Sequence, residues 1–234
     1  MTKNRILFMI ACILIISSCA VITEQVIKSK RNSFVQLVTI KRVVGENIAM
    51  TTASGFVVEN RNSKSYIMTA GHFCLVPNEK GKWVAVKDIR VLDIHENIYK
   101  ANVVGVSGRF DACLLETDDT GIEPLRVSRN DNVPGDRVIN IAAPNGIFAK
   151  DLVLSYEGRY AGELVNDGVV HDTYNFPSTG GSSGSPILNQ YGRVIGMVWG
   201  VDRRFSHITL SVTREQIILF LENLIDLKDF STSN

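Results

Sequence analysis

Short β-rich runs, each closed by turn residues, fall into two successive sets along this chain, and that pattern restricts the fold more than any other feature. The first set is Phe34–Ile40, Ser54–Val58, Ser65–Thr69, Ile89–Ile94, Ala101–Val106 and Asp111–Glu116, with no helical periodicity between its members. Asp118–Asn132 breaks the pattern with acidic residues, Gly121 and Pro124, and reads as a connector. The second set is Arg137–Ala142, Leu152–Tyr156, Gly168–Tyr174, Pro186–Leu188, Arg193–Trp199 and Ile208–Val212. Asn145-Gly146, Asn166-Asp167-Gly168 and Tyr191-Gly192 mark turns between them. The expectation is an all-β protein of two similar halves, each of about six strands.

One helix is predicted, at the end of the chain. Thr213 and Gln216 have the spacing of a capping box, and Ile217, Leu221 and Leu224 share a helical face, joined by Ile218 and Ile225. This helix, over about 213–227, should lie on the second half and do no chemistry. The tail 228–234 follows, which leaves no room for a PDZ-like module.

The other end is an export signal. Lys3 and Arg5 precede Ile6–Ile16, an unbroken apolar run too short to span a bilayer comfortably. Ile16-Ser17-Ser18-Cys19 then resembles the lipobox of bacterial lipoproteins, in which the cysteine is acylated and becomes the mature N-terminus. The resemblance implies a signal over 1–18 and lipid on Cys19; the alternative is an uncleaved membrane anchor reaching about Ile22. Either reading puts the rest of the chain outside the cytoplasm, held at a membrane by lipid or anchor. The polar, mildly basic stretch to Asn32 reads as a tether over 19–32. Cys74 and Cys113 are then the cysteines left in the folded part, either as an inter-strand bond or as two small apolar core residues. Formal net charge is +1 with no basic stripe, so no nucleic-acid partner is expected.

Three segments carry residues suited to nucleophilic catalysis. His72 follows the run Ser65–Thr69 through the small residues Ala70 and Gly71, which lets it turn off a strand end. Asp111 heads the apolar run Ala112–Leu115, where a partly buried carboxylate needs a hydrogen-bond partner. Gly180-Gly181-Ser182-Ser183-Gly184-Ser185 offers hydroxyls and backbone N–H groups on a chain free of bulky side chains. Serine-dependent acyl transfer needs these three elements: a hydroxyl beside a base, a carboxylate that orients the base, and N–H groups where the oxyanion forms. Each residue alone also has a plain structural meaning, as a loop histidine, a turn aspartate and a flexible linker.

In order and spacing the segments resemble the trypsin/chymotrypsin-like serine peptidases. Thr69-Ala70-Gly71-His72 is similar to that family's T-A-(A/G)-H, Phe110-Asp111-Ala112-Cys113-Leu114-Leu115 to its D-x-A-L-L segment, and Gly181-Ser182-Ser183-Gly184-Ser185-Pro186 to G-(D/N)-S-G-(G/S)-P. Ser54-Gly55-Phe56-Val57-Val58, Pro134-Gly135-Asp136-Arg137-Val138 and Tyr191-Gly192-Arg193-Val194-Ile195-Gly196 are similar to supporting pieces, closest to the HtrA-type and glutamyl endopeptidase branches. The resemblance implies two six-stranded antiparallel Greek-key barrels, over about 33–117 and 133–212, within a peptidase domain 33–227. It implies His72 as general base and acid, Asp111 as its orienting carboxylate, Ser183 as nucleophile, and the N–H groups of Gly181 and Ser183 as the oxyanion hole. Polypeptide substrates are expected, with no cofactor and no metal; the oligomeric state is left open.

Ser178, Val198, Trp199 and Gly200 match the family's substrate-binding positions. With Pro177 and Ser178 at the pocket floor and Met197 where the glutamyl branch carries a histidine, the resemblance implies an uncharged P1 residue; Ser206 and His207 match the far wall. The competing reading is a catalytically inactive two-barrel binding module tethered at a membrane. An α/β-hydrolase fits less well, since position 185 of its G-x-S-x-G would be serine and no catalytic-type histidine follows with alternating helices.

Overall fold

The computed structural model describes residues 23–42, 48–78, 80–166, 168–202, 205 and 207–224. The export signal, Cys19, Ser206, the end of the expected C-terminal helix and the tail lie outside the described residues.

Two closed barrels of six antiparallel strands form the molecule, with one helix at their C-terminal end. The first contains β1 (Phe34–Arg42), β2 (Ile48–Arg61), β3 (Lys64–Ala70), β6 (Ile89–Leu92), β7 (Ile98–Ser107) and β8 (Ala112–Asp118). It closes in the order β1-β2-β3-β8-β7-β6, so all the pairings are antiparallel and no strand edge is left over. The second contains β9 (Arg137–Ala142), β10 (Leu154–Asn166), β11 (Val169–Tyr174), β12 (Pro186–Asn189), β13 (Val194–Val201) and β14 (Thr209–Thr213), closed in the order β10-β11-β14-β13-β12-β9. A small hairpin, β4 (Leu75–Pro77) with β5 (Trp83–Ala85), stands outside the first barrel.

Several strands read as continuous apolar runs because both of their faces are buried. On β8, Cys113 and Leu115 point into the first barrel, while Ala112 and Leu114 point into a larger cluster between the two barrels. Residues of β2 divide the same way, with Val57 inside the barrel and Phe56 and Val58 between barrels. In the second barrel Ile187 faces inward and Leu188 faces the seam. Period-two alternation therefore persists, but it sorts side chains between two hydrophobic compartments rather than between core and water. Each large side chain so buried contributes about 1.5–3 kcal/mol.

The C-terminal helix α3 (Arg214–Leu224) starts on the expected box: the Thr213 N–H donates to Gln216 Oε1 at 3.0 Å, and the Gln216 N–H to Thr213 Oγ1 at 3.3 Å. Its Ile217, Phe220 and Leu221 enter the inter-barrel cluster. Leu224 reaches the first barrel, where a side chain on Gly105 would collide with it: a Cβ there would lie 2.5 Å from Leu224 Cδ1. The helix thus bridges both halves instead of resting on the second alone.

Part of the segment read as a tether is also structured. Residues 23–30 form a helix, α1, whose Val26 and Ile27 lie against the inter-barrel cluster. Lys30 pairs with Glu123 of the connector at 3.3 Å, and the Arg137 guanidinium donates to Thr23 Oγ1 at 3.3 Å. Cys74 and Cys113 form a disulfide between the segment after β3 and strand β8, inside the first barrel.

Within the second barrel, Asp172 is buried and accepts hydrogen bonds from Tyr160 Oη at 3.0 Å and Tyr174 Oη at 3.4 Å. Burial outweighs those bonds and pushes its carboxyl up from 3.8 to about 6. A carboxyl whose pKa is higher folded than unfolded favours the folded state while protonated, so stability is lost as pH rises through that window. Replacing Asp172 by Asn removes the ionisation. The Tm of Asp172→Asn relative to wild type should therefore rise between about pH 4 and pH 7. Melting curves across that range check this, and a pH-independent difference contradicts it.

Candidate active site

His72 lies on α2 (Gly71–Cys74), a single turn that interrupts the chain where β3 ends. Phe73 and Cys74 of that turn enter the core of the first barrel, which leaves the His72 ring facing outward with 52% of its side chain exposed. Asp111 stands just before β8 in a left-handed conformation, φ 51°, which an aspartate tolerates better than most residues. This conformation aims both its carbonyl and its carboxylate at α2. Its carbonyl accepts from the Gly71 N–H at 2.8 Å, Oδ1 accepts from the His72 N–H at 2.7 Å, and Oδ2 meets His72 Nδ1 at 2.7 Å. Gly71 permits the approach, since a Cβ there would lie 3.0 Å from the Ala112 nitrogen.

An ionised carboxylate only accepts hydrogen bonds, so the contact puts the proton of the neutral imidazole on Nδ1 and makes Nε2 the basic nitrogen. The disulfide joins the residues two places beyond His72 and Asp111, and so ties together the two segments that carry them. A second histidine–aspartate contact, His95 Nδ1 to Asp151 Oδ1 at 3.0 Å, lacks this framework, and both of its side chains are more than half exposed. Contact alone does not distinguish the two pairs; the clamped backbone and the adjoining serine loop do.

That loop, Gly180–Ser185, is wedged between the barrels. The Gly184 N–H donates to the Val198 carbonyl at 2.8 Å, and the Val198 N–H donates to the Ser185 carbonyl at 2.9 Å, which ties the loop to β13. On the other side the Ser54 N–H donates to the Ser183 carbonyl at 2.9 Å. Gly184 has φ +84°, and a Cβ on it would lie 2.4 Å from Thr69 Oγ1 and 2.8 Å from the Ala70 nitrogen. Only glycine fits there. Its fit sets Ser183 against the end of β3, whose next turn carries His72.

Burial separates the loop's serines. Ser182 and Ser185 are buried, with Ser185 Oγ accepting from Asn140 Nδ2 at 2.8 Å, whereas Ser183 is partly exposed. The N–H groups of Ser182, Gly184 and Ser185 donate to Thr179, Val198 and Ser182 carbonyls. Those of Gly181 and Ser183 have no acceptor among the described residues.

The residues matched to substrate binding lie beside this loop. Ser178 and Val198 are buried, and Val198 spends both its main-chain groups on the loop. Trp199 falls at a register shift between β13 and β14, and the imidazole of His171 stacks on it with centroids 4.3 Å apart and planes 13° apart. Space beside Gly200 is open, since a Cβ there would meet nothing within 4 Å. His171 was not legible as part of this wall from the sequence, because no motif surrounds it.

The trypsin-like peptidase domain model matches residues 53–197. The Rv3671c protease from M. tuberculosis, in its active form, has 18% identity and a TM-score of 0.72, covering 88% of this chain and 86% of that one. The HtrA-type protease AlgW, solved with a tripeptide, has 15% identity and a TM-score of 0.71, covering 86% of this chain and 62% of that one. The serine endoprotease from Yersinia pestis has 20% identity and a TM-score of 0.68, covering 87% and 66%. A comparison with curated proteins finds no match. At these identities the solved structures establish the shared two-barrel fold, and the family model, spanning more than half the chain, establishes membership: this chain belongs to the trypsin-like peptidase domain family.

Proposed function

We propose that this chain is a serine endopeptidase that hydrolyses polypeptides through Ser183, His72 and Asp111, by way of an acyl-enzyme. The observation that carries the reading is the clamp of Asp111 on both the N–H and the Nδ1 of His72, beside a loop whose accessible serine is Ser183. His72 Nε2 takes the proton from Ser183 Oγ as that oxygen attacks the scissile carbonyl. Asp111 stabilises the imidazolium that results. The N–H groups of Gly181 and Ser183 receive the charge on the tetrahedral intermediate, and His72 then returns the proton to the departing amine. Water repeats the sequence on the acyl-enzyme. Ser178, Trp199 and Gly200 border the side chain and backbone of the residue before the scissile bond, and the absence of a carboxylate among them favours an uncharged residue there.

The proposal extends to location. The chain is exported and held at a membrane by lipid on Cys19, where an oxidising compartment keeps Cys74 and Cys113 joined.

Ser183→Ala should lower kcat on a peptide substrate by about 10⁶-fold with Tm unchanged, while Ser182→Ala keeps turnover. Retained activity in Ser183→Ala would assign the nucleophile elsewhere. His72→Ala should lower kcat on the same substrate by several orders of magnitude with Tm unchanged; wild-type turnover in that variant removes His72 as the base. Cys19→Ser should move the protein from the membrane to the soluble fraction. Retention at the membrane with an intact N-terminus would show an uncleaved anchor instead.

A further inference from the structure

Ser54, on β2, is fully buried at 0% exposure, and its polar groups reach three parts of the molecule. Its carbonyl accepts from Thr69 Oγ1 at 2.8 Å, one strand away in the first barrel. Its hydroxyl accepts from the Ala143 N–H at 3.1 Å, across the seam in the second barrel, and donates to the Gly181 carbonyl at 2.8 Å. Its own N–H donates to the Ser183 carbonyl at 2.9 Å. A buried hydroxyl that donates once and accepts once in this way has its proton and one lone pair engaged, and a packing role alone would not require it.

The carbonyls it holds belong to Gly181 and Ser183. A residue's N–H sits on the peptide plane before it, and its carbonyl on the plane after it. The plane before Gly181 is held through the Gly180 carbonyl, which accepts from the Asn145 N–H at 2.6 Å. The plane before Ser183 is held through the Ser182 carbonyl, which accepts from the Ser185 N–H at 3.0 Å. Ser54 holds the plane after each. With both flanking planes fixed, neither residue can turn its N–H away. This matters most for Gly181, at φ +88°, because glycine has no side-chain barrier to rotation.

We infer that Ser54 is a positioning residue for oxyanion stabilisation, keeping the Gly181 N–H aimed at the developing charge from a strand in the opposite barrel. The inference rests on the catalytic reading above. Removing the hydroxyl leaves the plane after Gly181 held only through the Ser182 N–H, which donates to the Thr179 carbonyl at 3.0 Å, and leaves the Gly181 carbonyl and the Ala143 N–H without their shared partner. His72 and Asp111 keep their own contacts, so the loss falls on transition-state stabilisation rather than on substrate binding.

The test compares wild type, Ser54→Ala and the volume-preserving Ser54→Cys, whose thiol is a weak hydrogen-bonding group. Each is measured on one peptide substrate, with Tm recorded and turnover expressed per folded molecule. The expected result is a fall in kcat of about 10²-fold in both variants, with KM changed less than two-fold and the pH profile of kcat/KM keeping its shape. Binding of a peptide aldehyde, whose hemiacetal oxygen occupies the oxyanion position, should weaken in parallel. Wild-type kcat in a folded variant, or a change confined to KM, overturns the role given to Ser54. Wild-type protein that itself shows no turnover overturns the catalytic reading beneath it.

Discussion

A glycine that tolerates no side chain decides how the two barrels of this protein meet. Gly184 lies where a Cβ would be 2.3 Å from the Ser54 carbonyl, so the loop that carries Ser183 sits directly on the first barrel although it belongs to the second. Hydrogen bonds on both sides keep it there, from Ser54 in one direction and from Val198 in the other. The three candidate catalytic side chains come from separate segments, and this wedge brings the last of them to the seam where the first two already touch.

The seam is also a large hydrophobic compartment. Its members come from β1, β2, β3 and β8 of one barrel, from β9, β12, β13 and β14 of the other, and from α3. A cluster shared so widely makes the barrels a single packing unit, since neither could keep its outward-facing Phe56 or Leu188 in water without cost. Rigid placement of hydrogen-bond groups follows. Electrostatic stabilisation of a developing charge works best when donors are fixed in advance, and the proposed donors, Gly181 and Ser183, lie on a loop hydrogen-bonded to both barrels. The Cys74–Cys113 bond adds a covalent restraint between the segments bearing His72 and Asp111.

Much of this was legible in the residues. Two sets of six strands followed from short β-rich runs and turn signals, and the start of α3 followed from Thr213 and Gln216. The hairpin β4–β5 was missed because its strands are three residues long, too short to show a period. Helix α1 was missed because Thr23–Asn32 is polar; its Val26 and Ile27 gain meaning only from the surface they cover. Choosing Ser183 among three serines rested on family spacing alone; the structure adds that Ser182 and Ser185 are buried while Ser183 is partly exposed. The hydroxyl contact from Ser54 to Gly181 spans 127 positions, and no local pattern could announce it. Likewise, the His171–Trp199 stack joins β11 and β13, which lie on either side of β14.

The proposed function requires the serine at the seam to be an activated nucleophile. A fluorophosphonate tests it most directly, because it phosphonylates a hydroxyl only where a base and oxyanion donors act together. Mass spectrometry of the labelled, folded protein should place one adduct on Ser183, and the His72→Ala protein should take up none. An unlabelled wild-type protein with its fold intact, or an adduct on Ser182 or Ser185, would contradict the account.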